Sequence, residues 1–406
     1  MIWRIKQYFA ERGQVRTFWE GSALMYTTEA WVLYRGEAGA GPGHLEFESI
    51  SFPSLSDDEV LIEPLYGAWE ANMSHAVDRD PIDICDLRGE EKVVLGNSGV
   101  VRVLDVGRYV RNVQPGQYCL FAPVGESDPF GYQQTVHGYD APGTIGTLAR
   151  KTKIACTGVY PLPSGTKFSL QQWAAFSLRY IAAWSNWSVA YRCFRVQLSM
   201  EDFPVPYVWG WGGGCTLAEL DLAQRLGCEA VMLSGNDRNI KDIENCGITT
   251  IDRRSFPDLN YDRKRYAADE KYRNAYRLSE YAFLIEVRER TAGNGVSIFV
   301  DYIGSPVSRA SIKALSRQGV LTTAGWKHGM VIPLNRAMEC ISRHIYVHTH
   351  SARAGEVEES MAYGEENGWM PQVAAEDTYR FEDVPQLLAD YAEGRVGYFP
   401  VYEVNP

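Results

Sequence analysis

The sequence predicts a two-domain α/β protein: a β-rich, barrel-like domain followed by an open, doubly wound parallel sheet. Three observations lead there. The chain has 406 residues, more than one hydrophobic core usually serves, so two domains sharing a cleft are expected. From Thr28 to about residue 190 it reads mainly as short strands and turns, the pattern of a compact β domain. From Tyr207 onward strands and helices alternate, which is how βαβ units build a parallel sheet.

Composition narrows the function classes. The apolar and charged fractions, 45% and 22%, are those of an ordinary globular protein. A net charge of -11 argues against nucleic-acid binding, which needs clustered Lys and Arg. No run approaches the roughly 20 apolar residues of a membrane helix. The opening Met1-Ile2-Trp3-Arg4-Ile5-Lys6 lacks the apolar core of a secretory leader. Eight scattered Cys form no CxxC pair, so neither a structural zinc site nor a redox dithiol is expected. A reducing, cytoplasmic setting follows. Residues 1–24 read as an extension, with Trp3, Tyr8, Phe9, Phe18 and Trp19 between basic residues, suited to an amphipathic helix.

The elements follow in order. Thr28–Tyr34, Glu59–Leu65 and Gly99–Gly107 read as strands, and Val113–Phe121 as a turn entering another. Gln171–Tyr191 is a helix that bridges the domains; its Trp173, Trp184 and Trp187 read as core. After Tyr207-Val208-Trp209 come helix Leu217–Leu226, strand Ala230–Leu233, helix Asn239–Cys246 and strand Thr249–Ile251. Helix Phe283–Thr291, strand Ser297–Asp301, helix Arg309–Arg317 and strand Gly319–Thr323 complete the series. Phe399–Val404 is strand-like and returns to the first domain.

The most informative segment is Gly210-Trp211-Gly212-Gly213-Gly214-Cys215-Thr216. A strand turning sharply into a helix presents free backbone N–H groups and the positive end of the helix dipole to a pyrophosphate. Glycines permit the turn and the close approach of a ligand. The match to G-x-G-x-x-G is imperfect, because Cys215 or Thr216 stands at the last glycine, depending on the frame. The competing reading is a turn closed by the indole of Trp211. The next strand ends at Ser234-Gly235-Asn236 with Arg238 nearby. Without a carboxylate for the ribose hydroxyls, Ser234 and Arg238 favour the 2′-phosphate of NADP over NAD; Asp237 is the acid if the strand ends later.

This layout resembles the medium-chain dehydrogenase/reductases, and within them the crotonyl-CoA carboxylase/reductase branch. The resemblance runs from about Thr28 onward. It rests on Leu95–Val101, Val113–Phe121, Gly138–Thr144, Trp209–Thr216, the charged insertion at about 257–282 and His348-Thr349-His350. It implies a GroES-like domain (25–190 and 345–406), a Rossmann domain (191–344), NADPH as cofactor, and an α,β-unsaturated acyl thioester on CoA or a carrier protein as substrate. It also implies a homodimer formed through the edge strand near Gly319–Thr323 and the segment after it. Where zinc-dependent members read G-H-E, this chain has Gly96-Asn97-Ser98, so the resemblance implies a zinc-free enzyme. The family's CO2-pocket positions fall on Glu70, Tyr139, Asp140 and His350. A carboxylate at Glu70 in place of an amide disfavours CO2, so reduction without carboxylation is expected.

If the resemblance holds, Glu70, Asp140 and His350 form a polar cluster able to supply the proton at the α-carbon. The alternative is a structural ion pair. His75 is a second candidate acid, and Lys327, His328 and Arg353 are candidates for a carrier phosphate. A metal on His344, His348 and His350 lacks a fourth ligand. The leading expectation is an NADP-dependent enoyl thioester reductase. Its rivals are proton chemistry alone, as a dehydratase, cyclase or isomerase, and a non-catalytic binding protein.

Overall fold

The computed structural model describes residues 25–36, 41–122, 125–325, 327–329, 331–332, 334–349 and 352–406. The expected helix in 1–24 and the candidate His350 lie outside them.

The β-rich part holds two sheets. Strand β1 (Met25–Tyr34) pairs antiparallel with β2 (His44–Pro53), and its end meets the short β4 (Lys92–Val93). The larger sheet is centred on β3 (Glu59–Ala68) and β5 (Gly99–Val106), with β6 (Tyr118–Phe121), β7 (Thr152–Ala155) and β8 (Val159–Pro161). Alternating burial along β5 reflects one face turned to the core and one to solvent. Two small helices, α1 (Ala71–Asp78) and α2 (Ile84–Arg88), follow β3.

Helix α3 (Leu170–Gln197) connects the two halves. Ser169 and Gln172 form a reciprocal capping box at its start. Trp173, Phe176, Tyr180, Trp187 and Phe194 are all buried, and so are Ala174, Ala175, Ser177, Arg179 and Ile181 on its other faces. The helix is therefore enclosed over most of its length, with its last turns from Arg192 partly exposed, and packs against β5, β13 (Leu315–Thr323) and α4 (Gly214–Arg225). Trp184 is half-buried, its ring 5.0 Å from Tyr363.

The second half is a six-stranded parallel sheet: β9 (Tyr207–Trp211), β10 (Glu229–Ser234), β11 (Thr249–Asp252), β12 (Val296–Asp301), β13 (Leu315–Thr323) and β14 (Tyr346–Thr349). The spatial order is β11-β10-β9-β12-β13-β14, so strand order reverses between β9 and β12, where a doubly wound sheet opens its ligand crevice. The connecting helices are α4 (Gly214–Arg225), α5 (Asp237–Asn245), α6 (Arg263–Ala268), α7 (Glu270–Arg290) and α8 (Ser305–Ala314). Then come α9 (Gly355–Asn367), β15 (Thr378–Arg380), α10 (Val384–Ala392) and β16 (Val401–Glu403), which pairs with β3.

Four expectations are corrected. The segment assigned to the first domain from residue 345 begins with β14, which extends the parallel sheet. The edge is therefore β14 and not Gly319–Thr323, since β13 is paired on both sides. The charged insertion is largely helical: α7 starts at Glu270, thirteen residues before Phe283, because its buried stripe is narrow (Tyr276, Ser279, Glu280, Phe283 and Val287) and the exposed remainder mixes charged residues with Leu278, Tyr281 and Ile285. The helix expected over Arg309–Arg317 ends at Ala314, and β13 starts at once.

Candidate cofactor and active site

The glycine turn joins β9 to α4 at the point where strand order reverses. Trp209 and Trp211 lie two residues apart on a strand and share a face. Both indoles point into the core beneath α7, and the Trp211 ring lies 5.3 Å from Phe283 and 5.0 Å from Phe299. Trp211 is fully buried and does not cover the turn. A Cβ placed on Gly213 would meet nothing within 4 Å, and Gly213 is exposed. The side chain at the last motif position, Thr216, is accommodated because its methyl group would come within 2.9 Å of a Cβ on Gly210. Its hydroxyl faces the Trp211 carbonyl at 3.4 Å. Gly214 and Cys215 are more enclosed. A Cβ on Gly214 would meet the Tyr398 carbonyl, the Phe399 ring and the Arg179 side chain, and the Cys215 thiol donates to the Arg179 carbonyl at 3.3 Å.

A cavity of about 660 Å³ opens beside the carboxyl ends of β10, β11 and β12, lined by Gly235, Arg253, Arg254, Phe256, Ile303 and His328 among others. Arg254 is held by Asp252 at 2.7 Å and Asp237 at 2.6 Å. Arg253 is exposed and meets no carboxylate among the described residues. Lys327 and His328 titrate below their ordinary values, through desolvation first and then through neighbouring positive charge that includes Arg253. Ser234 is buried at the end of β10, next to Gly235 of the lining. Arg238 is directed elsewhere: its guanidinium bonds Asp377 at 2.6 Å and Glu376 at 3.4 Å. The lining arginine that meets no carboxylate among the described residues is thus Arg253, which sequence reasoning missed. Its signal was a basic pair directly after the third strand of the sheet, at Asp252-Arg253-Arg254.

Three of the expected acid–base residues, Glu70, Tyr139 and Asp140, lie within the described residues. Glu70, at the N-terminal boundary of α1, is buried. Its Oε1 accepts from Ser98 Oγ at 3.1 Å and lies 3.2 Å from Arg179 Nη1. Burial raises the Glu70 pKa, while Arg179 and Ser98 pull it back down. Arg179 also donates to the Trp69 carbonyl at 2.5 Å and lies over the Phe399 ring. Tyr139 is buried in the core that holds Trp69, Met73 and Ile84. Asp140 accepts from the Val136 backbone N–H at 2.5 Å, and burial raises its pKa. No bond between Glu70 and Asp140 occurs among the described residues. The amide oxygens of Asn97 and Asn72 are buried without partners. Among the described residues no group of three His, Cys, Asp or Glu could hold a metal ion.

A further polar cluster lies under the turn. Glu219 of α4 is fully buried and accepts from Tyr302 at 2.8 Å and from Asn186 Nδ2 at 3.1 Å. No cation pairs with it among the described residues, and burial pushes its pKa up to about 8. Asn186 Oδ1 has no partner.

No family model and no curated protein matches the sequence. Solved structures do. The crotonyl-CoA carboxylase/reductase AntE in complex with NADP aligns at TM-score 0.74 and 19% identity, over 96% of this chain and 97% of that one. The 2-octenoyl-CoA carboxylase reductase CinF, in complex with NADP and 2-octenoyl-CoA, aligns at 0.76 and 17%, over 93% and 87%. The alcohol dehydrogenase of Aeropyrum pernix aligns at 0.71 and 18%, over 92% and 99%. The chain therefore has the two-domain fold of the medium-chain dehydrogenase/reductases. The crotonyl-CoA carboxylase/reductases are among the structures that share it.

Proposed function

We propose that the protein is an NADP-dependent reductase of an α,β-unsaturated acyl thioester. One observation carries this reading: a glycine turn open at Gly213 lies at the switch point of the same sheet edge as a cavity lined by Arg253, Arg254 and His328. Backbone N–H groups at the start of α4 suit a pyrophosphate, and Arg253 suits the 2′-phosphate that separates NADP from NAD. AntE and CinF, which share the fold, are NADP complexes, and CinF also carries an enoyl-CoA. The dinucleotide would supply the hydride. This chain would orient the acyl group in the cleft and deliver the proton at the α-carbon, with Asp140, Glu70 and His350 as the candidate acids and Tyr139 as a further candidate.

A second cavity, of about 710 Å³, is lined by Arg263, Arg309 and Arg336 with Tyr261. It suits the phosphates of CoA or of a carrier protein's prosthetic arm. Glu70, already bonded to Arg179 and Ser98, offers CO2 a carboxylate where the carboxylating family has an amide, which supports reduction without carboxylation. β14 is the edge strand of the described parallel sheet, and exposed Val347 on it and Met338 and Ile341 in the segment before it are apolar; we assign that edge to a homodimer. No described helix is long and apolar enough to cross a membrane.

Incubation with NADPH and crotonyl-CoA or 2-octenoyl-CoA, with and without labelled bicarbonate, tests the reaction. The expected product is the saturated acyl thioester, unlabelled in both cases. A labelled carboxylated product would overturn the carboxylation assignment. NADPH binding without oxidation by any enoyl thioester would favour proton chemistry alone.

A further inference from the structure

Arg179 is only 6% exposed in its side chain and stands between two sites. Its aliphatic stem comes within 3.0 Å of a Cβ placed on Gly214, at the first turn of α4. Its guanidinium reaches Glu70, yet Nη1 makes no hydrogen bond of acceptable geometry. A buried guanidinium with an unsatisfied N–H, carried on a stem that packs against a helix N-terminus, is an unfinished anion site.

We propose that Arg179 is a ligand of the cofactor's pyrophosphate, and that it leaves Glu70 for the pyrophosphate when the dinucleotide binds, so that Glu70 takes up a proton from solvent. The proposal rests on the cofactor reading above. The exchange follows from charge. A pyrophosphate seated on the N–H groups of Gly213 and Gly214 offers a stronger and better-aligned partner than one carboxylate oxygen at 3.2 Å. Glu70 would then be buried without a cation, which favours its neutral form. The other titratable groups near it are Tyr391 of α10, Tyr402 of β16 and Cys215 of α4, whose own pKa values are raised by burial. None supplies a replacement positive charge. Ser98 remains as a hydrogen-bond donor or acceptor to the carboxyl. The cofactor would thereby load the cleft with a neutral acid.

Calorimetric titration of the full chain with NADPH, in buffers of different ionisation enthalpy at about pH 7.5, counts the protons exchanged. The wild type should take up about one proton per NADPH. Glu70→Gln should bind NADPH with no uptake. Arg179→Met should weaken NADPH binding by roughly tenfold or more and abolish the uptake, with Arg179→Lys recovering part of the affinity. NADPH binding to the wild type without proton uptake, or Arg179 variants of unchanged affinity, would overturn the exchange and leave the cofactor reading standing. No NADPH binding to the wild type at all would overturn the cofactor reading and the exchange with it.

Discussion

Replacing Glu219 with Gln is expected to make the protein more stable at pH 8.5 and to flatten its pH–stability profile. Glu219 is buried without a cation, and its pKa rises from an ordinary 4.5 to about 8. Between those values the folded protein keeps a proton that the unfolded chain has lost. The associated stability is fully present below pH 4.5 and falls as pH rises, by about 1.4 kcal/mol per unit at most. It is lost once pH passes the folded value near 8. Over the whole window the change amounts to several kcal/mol, a large share of the net stability of a typical domain. Glutamine keeps an acceptor for Tyr302 and Asn186 without a charge to bury. Urea midpoints followed by Trp fluorescence at about pH 5.5, 7 and 8.5 measure the effect. Equal slopes in wild type and variant would show that Glu219 does not carry this proton.

Removing Arg253 is expected to narrow the preference for NADPH over NADH. Arg253→Ala should weaken NADPH roughly tenfold to a hundredfold, the worth of a charge-assisted contact to a phosphate, and leave NADH nearly unchanged. Arg254→Ala should do less to discrimination, because Arg254 is already engaged by Asp252 and Asp237. Dissociation constants for both cofactors measure the ratio. A parallel loss of NADPH and NADH would move the 2′-phosphate site away from Arg253.

The parallel sheet and the turn at Gly210–Thr216 were legible because they rest on local patterns: apolar runs spaced by helices, and glycines between a strand and a helix. The direction of Trp211 was also legible in principle. Trp209 and Trp211 are two residues apart on one strand, so both belong on the face opposite Val208 and Gly210. The path of Arg238 was not legible, since its partners Glu376 and Asp377 lie about 140 residues away in the chain. Arg179 and Glu219 were missed for a related reason. Charged residues in helices usually mark the solvent side, but α3 is enclosed over most of its length and α4 buries Glu219 and Asp221 within its apolar run. Only the packing of α3, α4 and β12 shows that these charges face one another's neighbours rather than water. The length of α7 escaped because its inward stripe is narrow and includes Glu280, which binds Arg309 and Lys313.

The central claim, that the turn at Gly210–Thr216 and the cavity beside it hold NADPH, is tested most directly by fluorescence titration of the full chain with NADPH and NADH. Eleven Trp residues provide donors for energy transfer to the nicotinamide. Saturable quenching with sensitised cofactor emission is expected for NADPH at micromolar concentrations, and only far weaker binding for NADH. No change at millimolar NADPH would contradict the account.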